Sequence, residues 1–510
     1  MSAVRTWAVA LTGVDGHMVE VEADLSNQRP DFRIIGLADR SLGEATQRVH
    51  NACKNAGLEL SSRRLTINLS PASLPKQGSA FDLGVAVSAL ATSGSLDASS
   101  IGRTVHIGEL GLDGRLRPVP GVLPSVFAAQ RAGFERVVVP HANADEARLV
   151  ADIEVRAATT LAEVAAWHGA DVEIPDVDPI PGPVTADQKD AAAVDLSDVI
   201  GQEEAVDALL TAAAGGHHLL MSGPPGAGKT MLARRLPGIL PELTEEEALE
   251  VASIRSLAGL PVVALDRVPP LETPHHSASS MALVSGGSRV PRPGAIVRAH
   301  RGLLFLDEAA EFSRQALDSL RQPLESGTVD IQRAGFTARF PARFQLVLAM
   351  NPCPCGNYGV RGAECTCPPI AIRRYASRLS GPLRDRIDID LQVARVAASR
   401  ATSGERTAPT SQVARDRVAE ARARAAARWR DTPWRVNADV PGTWLRQGAH
   451  RLAADHRAPL DRALERGALT LRGYDRVLRL AWTVADLAGL DRPGREEIGR
   501  ALFLKRGLIT

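Results

Sequence analysis

The chain is poor in cysteine, in lysine and in long apolar stretches. Its 510 residues contain five cysteines, and four of them lie within the fifteen residues 353–367, which favours a metal site over a disulfide framework. No apolar stretch reaches the roughly 20 residues that a membrane-spanning helix needs. The first residues lack an apolar segment followed by a small-residue cleavage site, so we predict no secretion signal. We therefore expect a cytoplasmic protein without a membrane partner.

Lysine is scarce: the chain has five lysines against 55 arginines, and its net charge of +1 says nothing about partners. Lys229 nevertheless completes a segment that fits the phosphate-binding pattern G-x-x-x-x-G-K-[ST] at every fixed position. The segment consists of Gly223, Pro224, Pro225, Gly226, Ala227, Gly228, Lys229 and Thr230. The apolar run 217–222 predicts a buried strand before it, and 231–236 predicts the start of a helix after it. The motif requires this strand–loop–helix context.

Such a loop suits the phosphates of ATP. Glycines let backbone N–H groups close on phosphate oxygens, and the N-terminus of the following helix favours negative charge. Lys229 would contact the β- and γ-phosphates, and Thr230 would ligate Mg²⁺. The sequence therefore predicts ATP and Mg²⁺ as cofactors, with a chance glycine-rich turn as the alternative.

Two further apolar strands end in polar residues. Leu303–Leu306 is followed by Asp307 and Glu308, a pair suited to binding Mg²⁺ and activating water. Asp307 would hold Mg²⁺ directly or through water, and Glu308 would orient and polarise the attacking water. Gln345–Met350 is followed by Asn351, whose amide can orient that water or sense the γ-phosphate. The alternative for Asn351 is a turn residue before Pro352.

An arginine follows the last predicted core strand. In the segment SGPLRDRID (380–388), Arg386 is the candidate for a finger that reaches the γ-phosphate of a neighbouring subunit. Such a finger stabilises transition-state charge and contributes about 10³–10⁵ in rate. Arg384 is the second choice for this role. The alternative is a surface salt bridge of Arg386 with Asp385 or Asp388.

Several segments together resemble the magnesium-chelatase-like AAA+ ATPases, and more closely the ComM/YifB subgroup. They are GPPGAGKTMLARRLPGILP, HRGLLFLDEAAEF, LDSLRQPLESG, FPARFQLVLAMNPCPCG and LSGPLRDRIDI. The resemblance covers nearly the whole chain and implies an α/β fold in three parts: an N-terminal Lon-protease-like α+β domain (ribosomal S5 domain 2-like), a central AAA+ P-loop module and a C-terminal helical lid. It also implies that Arg472, in the segment TLRGYDR, is a second sensor arginine.

The resemblance implies a function as well. Members of the subgroup are hexameric, ATP-driven DNA helicases that promote branch migration and are linked to natural transformation. A magnesium-chelatase-type motor subunit, which drives metal insertion into a porphyrin through a partner, is the alternative. The Lon-like region and the cysteine cluster favour the DNA motor, since the chelatase motor typically lacks both.

Composition predicts where the parts divide. Residues 171–194 are rich in proline and aspartate and have little periodicity, as is typical of a linker. We therefore expect a Lon-like domain at 1–170 and the ATPase core at 195–395. A connector with an Ala/Arg-rich helix would follow at 396–430, and the helical lid at 431–510.

The four clustered cysteines form two C-x-C pairs with nine residues between them, and they are Cys353, Cys355, Cys365 and Cys367. Four thiolates suffice for a tetrahedral Zn²⁺ site. Such a site would be structural, because it leaves no open position for a water. Four reduced thiols in a loop are the alternative. Cys53, outside the cluster, is expected to be a buried thiol.

Candidate DNA contacts lie in three places. The segment 329–340 predicts a β-hairpin whose Arg333 and Arg339 would contact phosphates, with a solvated hairpin as the alternative. The Gly/Pro-rich loop 285–300 adds Arg289, Arg292 and Arg298. Residues 371–430 carry 14 arginines against six acidic residues. Binding that does not depend on DNA sequence is expected, since no zinc-finger or recognition-helix signature is found.

The N-terminal region resembles a Lon protease domain, which cleaves peptides with a Ser–Lys pair. Ser79 lies near the position of the nucleophile, but the segment where the lysine is expected, 119–124, has none. A serine without its base is a poor nucleophile. We therefore predict no peptidase activity and a role in ring assembly or DNA contact.

Overall fold

The computed structural model describes residues 3–27, 29, 31–36, 39–76, 78–182, 194–286, 292–333, 336–360, 362–396 and 408–506. Within these ranges the side chains of 39–43, 332–333, 336 and 506 are not described. The chain forms a seven-stranded mixed sheet and a five-stranded parallel sheet, both with helices packed against them, followed by a C-terminal helical region. The predicted mixed α/β class is confirmed, whereas the division into domains at the predicted boundaries stays a prediction.

The seven-stranded sheet is built from the first third of the chain, with strand order β3-β4-β2-β1-β5-β8-β9. Its strands are β1 (Val4–Thr12), β2 (Asp15–Ser26), β3 (Asp31–Ile35), β4 (Arg64–Ser70), β5 (Thr104–His106), β8 (Arg136–Pro140) and β9 (Glu154–Ala158). Strands β6 (Glu109–Leu110) and β7 (Leu116–Arg117) pair separately. In β4 the buried residues Leu65, Ile67 and Leu69 alternate with more exposed ones, the period-two pattern of a sheet with one covered face.

Six helices accompany this sheet. They are α1 (Asp39–Asn55), α2 (Asp82–Ala91), α3 (Ala98–Ile101), α4 (Val122–Arg131), α5 (Ala144–Ala147) and α6 (Leu161–Trp167). Every residue of α2 is buried, so this helix lies within the apolar core rather than on its surface. Cys53, on α1, is fully buried as expected, and burial raises the pKa of its thiol to about 12.

The five-stranded sheet is parallel throughout, in the order β11-β14-β17-β10-β18. Its strands are β10 (Leu219–Ser222), β11 (Leu271–Glu272), β14 (Leu303–Leu306), β17 (Gln345–Met350) and β18 (Ile389–Gln392). All residues of β10, β14 and β17 are buried, as expected where helices cover both faces of a parallel sheet. The carboxyl ends of β14, β17 and β10 therefore meet at one edge.

The same part of the chain contains nine described helices and two hairpins. The helices are α7 (Glu203–Gly215), α8 (Lys229–Ile239), α9 (Glu245–Leu257), α10 (Ser280–Val284), α11 (Ala295–Arg298), α12 (Arg314–Asp318), α13 (Arg321–Ser326), α14 (Pro369–Ala376) and α15 (Gly381–Arg384). The strand pairs are β12 (Ser285–Gly286) with β13 (Arg292–Pro293), and β15 (Thr328–Arg333) with β16 (Phe336–Pro341). The strands predicted at Leu303–Leu306 and Gln345–Met350 have the predicted bounds.

The C-terminal region is helical and packs on the five-stranded sheet. Its helices are α16 (Ser411–Arg428), α17 (Gly442–Arg446), α18 (Ala454–Glu465), α19 (Leu471–Ala488) and α20 (Arg495–Arg506). Trp429 and Trp482, both almost fully buried, belong to the same apolar cluster as Leu219 of β10. In the part of the chain that the structure describes, no helix is long and apolar enough to cross a membrane.

The two sheets meet through α4 and α9. The Gly121 N–H, just before α4, donates to the Ser256 carbonyl oxygen on α9 at 3.0 Å. Nearby, the β1–β2 turn approaches β16 so closely that a Cβ on Gly13 would lie 2.1 Å from the Arg339 carbonyl oxygen. The seven-stranded sheet therefore contacts the hairpin that the sequence singles out for DNA binding.

Candidate active site

The phosphate-binding loop connects β10 to α8 as predicted. Gly226 and Gly228 have φ of 75° and 89°, the left-handed region that favours glycine. Gly223 has no room for a side chain, since a Cβ there would lie 2.2 Å from the Val393 carbonyl oxygen. Helix α8 begins at Lys229, directly after Gly228, so its free N–H groups lie beside the loop.

Lys229 lies at the centre of this loop and is 9% exposed. Its ammonium donates to the carbonyl oxygens of Gly223 at 2.6 Å and Pro224 at 3.0 Å, and to Asn351 Oδ1 at 3.1 Å. Burial lowers its pKa, although Asp307 and Glu308 oppose that shift. The side chain of Asn351 therefore contacts the lysine of the loop directly.

Thr230 and Asp307 meet across the loop. The Thr230 hydroxyl donates to Asp307 Oδ2 at 2.6 Å. Asp307 follows β14 and Asn351 follows β17. Because β17 pairs with β14 on one side and with β10 on the other, the side chains of Thr230, Asp307 and Asn351 lie at one edge of the sheet. A hydroxyl and a carboxylate in contact beside a lysine fit a site for Mg²⁺ and phosphate.

Glu308 has an unusual backbone and an unpredicted neighbour. Its φ of 51° is in the left-handed region, which is rare for a residue with a side chain and often marks a functional position. Its Oε2 lies 3.2 Å from His276 Nδ1. His276 in turn packs against His275, with ring centroids 4.1 Å apart. His276 and Glu308 meet because they follow β11 and β14, which are adjacent parallel strands.

Gln202 also contacts the loop, and no sequence motif indicates this contact. Its amide donates to the Ala227 carbonyl oxygen at 2.7 Å, so it supports the loop from the start of α7. The only sequence signal was its position just before a helix that packs against α8. Spacing alone does not reveal such a contact.

The candidate arginines are not in the loop. Arg386 is 12% exposed and forms an ion pair with Glu325, on α13, while also donating to the Pro382 carbonyl oxygen at 2.5 Å. The salt bridge considered in the sequence analysis therefore exists, but its acid is Glu325 rather than Asp385 or Asp388. Arg384 pairs with Asp390 at 3.4 Å.

Arg472 is exposed in the first turn of α19, and its neighbour Arg476 makes the structural contact. Arg476 forms an ion pair with Asp388, which is 2% exposed and lies just before β18. Burial disfavours the charge on Asp388, but Arg476 and the neighbouring histidines hold its pKa well below the usual value. Arg476 thus anchors the helical region to the sheet, a role that the sequence did not indicate.

The four cysteines converge in the loop after β17. All four sulfur atoms lie within 4.8 Å of one another, and three of the pairs are between 3.4 and 3.7 Å apart. Tetrahedral Zn²⁺ with bonds of about 2.3 Å would separate its sulfur ligands by about 3.8 Å. The cluster is therefore compatible with a structural zinc site.

Of the candidate DNA contacts, two are already engaged. On the β15–β16 hairpin Val329, Ile331 and Phe340 are buried, while the exposed Arg339 pairs with Asp330 at 2.7 Å. Arg298 is partly buried and forms an ion pair with Glu272 at 2.8 Å, so its present contact is within the chain. Arg289, the turn 334–335 and the side chain of Arg333 lie outside the described residues.

Ser79 lies beside an acid. Its hydroxyl donates to Glu109. The nearby Lys76 is 3% exposed, and its ammonium donates to the carbonyl oxygens of Pro71 at 2.5 Å and Leu74 at 3.3 Å. A carboxylate at the serine and a lysine committed to backbone oxygens do not form a Ser–Lys pair.

Three family models match the chain. They are "Magnesium chelatase, subunit ChlI" over residues 195–401, "Subunit ChlI of Mg-chelatase" over 21–143 and "Magnesium chelatase, subunit ChlI C-terminal" over 408–505. An uncharacterized protein of Mycobacterium tuberculosis is 47% identical over 99% of both chains.

Two relatives bear names from the predicted subgroup. Competence protein ComM of Haemophilus influenzae is 40% identical over 98% of this chain and 97% of its own length. The uncharacterized protein YifB of Escherichia coli is 39% identical over 97% and 95%. These similarities extend over both sheets and the helical region, and membership of an AAA+ family of this type suggests the use of nucleotide and Mg²⁺. The chain belongs to the magnesium-chelatase-like ComM/YifB family.

Proposed function

We propose that this protein is an oligomeric ATP-hydrolysing AAA+ motor that remodels DNA, as a helicase that promotes branch migration in recombination or transformation. The observation that carries the ATPase part is the meeting of Lys229, Asn351, Thr230 and Asp307 at one edge of a parallel sheet. Relatives over nearly the whole chain support the family context, and one of them is named a competence protein.

Each residue of this edge has a proposed role. Lys229, now bonded to loop carbonyls, exchanges these for the β- and γ-phosphate oxygens when ATP binds. Thr230 and Asp307 hold Mg²⁺, which supplies positive charge against the phosphates. Glu308 orients the attacking water and accepts its proton, and Asn351 fixes the position of both water and lysine.

The arginines act between subunits in this proposal. Arg386 leaves Glu325 and reaches the γ-phosphate bound by a neighbouring chain, and Arg472 approaches the nucleotide from the helical lid. A closed homo-oligomer is then required for full activity, and the family resemblance favours a hexamer. Its central pore would accept branched or single-stranded DNA without sequence preference.

The distribution of positive charge supports a DNA partner. The β15–β16 hairpin presents Arg339 to solvent, and residues 371–430 carry a marked excess of arginine. Phosphate contacts of this kind give binding that weakens with salt. The four cysteines would hold a structural Zn²⁺, for which a reducing compartment such as the cytoplasm keeps the thiols available.

The test is ATP hydrolysis by the purified chain with and without four-way-junction DNA, alongside Lys229→Ala. Lys54→Ala, which changes an exposed lysine of α1, is the matched control. We expect strong stimulation by junction DNA that disappears in Lys229→Ala and persists in Lys54→Ala. Hydrolysis that depends on Lys229 but ignores DNA would remove the helicase proposal. Stimulation by a porphyrin and its metal-binding co-subunit would then favour the chelatase alternative.

A further inference from the structure

The four-cysteine loop presses directly on the phosphate-binding loop. Gly356, which lies between the two C-x-C pairs, is buried with φ of 80°. A Cβ at this position would lie 2.4 Å from Pro225 Cδ and 2.8 Å from its Cγ. Pro225 is the second proline of the phosphate-binding loop, so the backbone of the four-cysteine loop packs directly against the phosphate-binding loop.

A second contact joins the same two loops. Asn351 accepts a hydrogen bond from the Lys229 ammonium, and the fully buried Cys353 follows two residues later. The Gly356 N–H donates to the Cys353 carbonyl oxygen at 3.0 Å, which closes a tight turn around the first two sulfur atoms. The position of Gly356 against Pro225 therefore depends on where the sulfur atoms are held.

We propose that a thiophilic divalent cation such as Zn²⁺, bound by Cys353, Cys355, Cys365 and Cys367, clamps Gly356 against Pro225 and thereby sets the affinity of the phosphate-binding loop for nucleotide. This rests on the proposed ATP binding at Lys229. With the ion bound, the nucleotide enters a cradle that is already ordered. Without it, the thiols separate, Pro225 loses its support, and binding must order both loops at a cost in affinity.

Substitutions at two glycines of the same loop distinguish loss of the contact with Pro225 from a general distortion of the loop. Gly356→Ala places a methyl group into Pro225. Gly359→Ala imposes the same backbone penalty, since φ is 73°, yet its Cβ would meet no atom within 4 Å. We expect both full-length variants to retain one metal per chain, measured by elemental analysis. In a titration with a fluorescent ATP analogue, Gly356→Ala should bind about tenfold more weakly, a loss of about 1.4 kcal/mol, and Gly359→Ala normally.

The metal is then varied in the unchanged protein. The full chain is stripped with a chelator, the chelator is removed, and nucleotide is titrated with Mg²⁺ present, before and after adding Zn²⁺. We expect affinity to fall about tenfold and to recover with Zn²⁺. Cys365→Ser should lose both metal and affinity. The matched control Cys53→Ala, outside the cluster, should lose neither.

The outcomes separate the two proposals. A stripped chain that binds nucleotide as tightly as the zinc-loaded chain, or equal affinities for Gly356→Ala and Gly359→Ala, overturns the clamp and leaves the ATPase proposal intact. A zinc-loaded chain that binds no nucleotide, and behaves like Lys229→Ala, overturns the proposed function and the clamp with it. Weak binding confined to metal-free and Gly356→Ala protein supports the clamp.

Discussion

The two halves of the candidate active site differ in how complete they are within one chain. On the phosphate side, Lys229 already contacts Asn351, and Thr230 already contacts Asp307. On the arginine side, Arg386 is paired with Glu325. The phosphate half is held by in-register parallel strands, whereas the arginine half belongs to segments outside that sheet.

Under the proposed function, this difference separates nucleotide binding from hydrolysis. The phosphate half would bind nucleotide in an isolated chain, whereas hydrolysis would require Arg386 to leave Glu325 first. Glu325 precedes the β15–β16 hairpin by three residues, so the proposed release of Arg386 takes place beside the candidate DNA contact. Mutations should therefore affect binding and hydrolysis separately, depending on the half they change.

The largest effect is expected from Arg386→Ala. If Arg386 acts in a neighbouring subunit, its loss should lower the rate of ATP hydrolysis by about 10³-fold or more, with little change in nucleotide affinity. Steady-state kinetics on the assembled protein measure the rate of ATP hydrolysis, and equilibrium titration measures the nucleotide affinity. Arg384→Ala is the comparison variant, because Arg384 is two residues away, pairs with Asp390 and was the second choice for the same role.

Mixing adds a test of action between subunits. We expect Arg386→Ala and Lys229→Ala chains each to be inactive, whereas a mixed assembly would pair an intact Arg386 with an intact Lys229 at some interfaces. Recovery of hydrolysis on mixing is expected. Equal losses for Arg386→Ala and Arg384→Ala, or no recovery on mixing, would return Arg386 to the role of a surface ion pair.

Glu308→Gln should produce the next largest effect, on the phosphate side. The amide keeps the shape of the side chain but cannot accept a proton, so hydrolysis should fall by about 10²–10⁴-fold while nucleotide still binds. Single-turnover hydrolysis is the measurement. Glu311→Gln, which weakens only the pair with Arg378, serves as control. A variant that fails to bind ATP would show that Glu308 shapes the loop instead.

The residues that the sequence assigned to the phosphate half lie together in the structure, and their segments could be identified because each signal is local. A fixed-spacing motif and two apolar strands, each ending in polar residues, specify Lys229, Asp307 and Asn351 without knowledge of distant contacts. Strand β10 begins at Leu219 instead of 217, because the His218 N–H donates to the Asp388 carboxylate at 2.9 Å and not to a neighbouring strand.

The contacts that were missed are all long-range. Gln202, His276 and Glu325 reach their partners through the order of strands and the packing of helices, which periodicity does not encode. The same holds for the lid: the motif implied Arg472, whereas Arg476, one turn further on, makes the buried pair. A motif match identifies a segment more reliably than it identifies which of its arginines is engaged.

Arg476→Gln and Arg472→Gln separate the structural and catalytic roles of that segment. Loss of Arg476 leaves the Asp388 carboxylate buried without its main cation, so the free energy of unfolding should fall by about 3–5 kcal/mol. Loss of the exposed Arg472 should change it by less than about 0.5 kcal/mol. Denaturant unfolding measures both.

Hydrolysis then tests the sensor role of Arg472. A normally folded Arg472→Gln variant with slower hydrolysis would support that role. Unchanged hydrolysis in Arg472→Gln would remove Arg472 from the arginine half. Equal free energies of unfolding for the two variants would show that the pair of Arg476 with Asp388 contributes little to the packing of the helical region on the sheet.

The smallest effect is the pH dependence of stability where α19 meets the five-stranded sheet, near the pair of Arg476 with Asp388. Burial lowers the pKa of His218 to about 4, and its Nδ1 accepts a hydrogen bond from the Leu346 N–H at 3.1 Å, so the folded chain requires neutral imidazole there. The unfolded chain binds this proton near pH 6.5. Stability from His218 is therefore complete above about pH 6.5 and is lost as pH falls towards 4, by about 1–3 kcal/mol.

The pH effect should distinguish the two halves. His218→Asn supplies an acceptor that does not titrate, so its unfolding free energy should fall less between pH 6.5 and 4 than that of the unchanged chain. Hydrogen exchange at pH 5 should then quicken around β18 and α19 before it does in the phosphate-binding loop, because His218 lies where the lid meets the sheet. The same pH slope in both proteins would mean that groups other than His218 set the pH dependence of stability where the helical region meets the sheet.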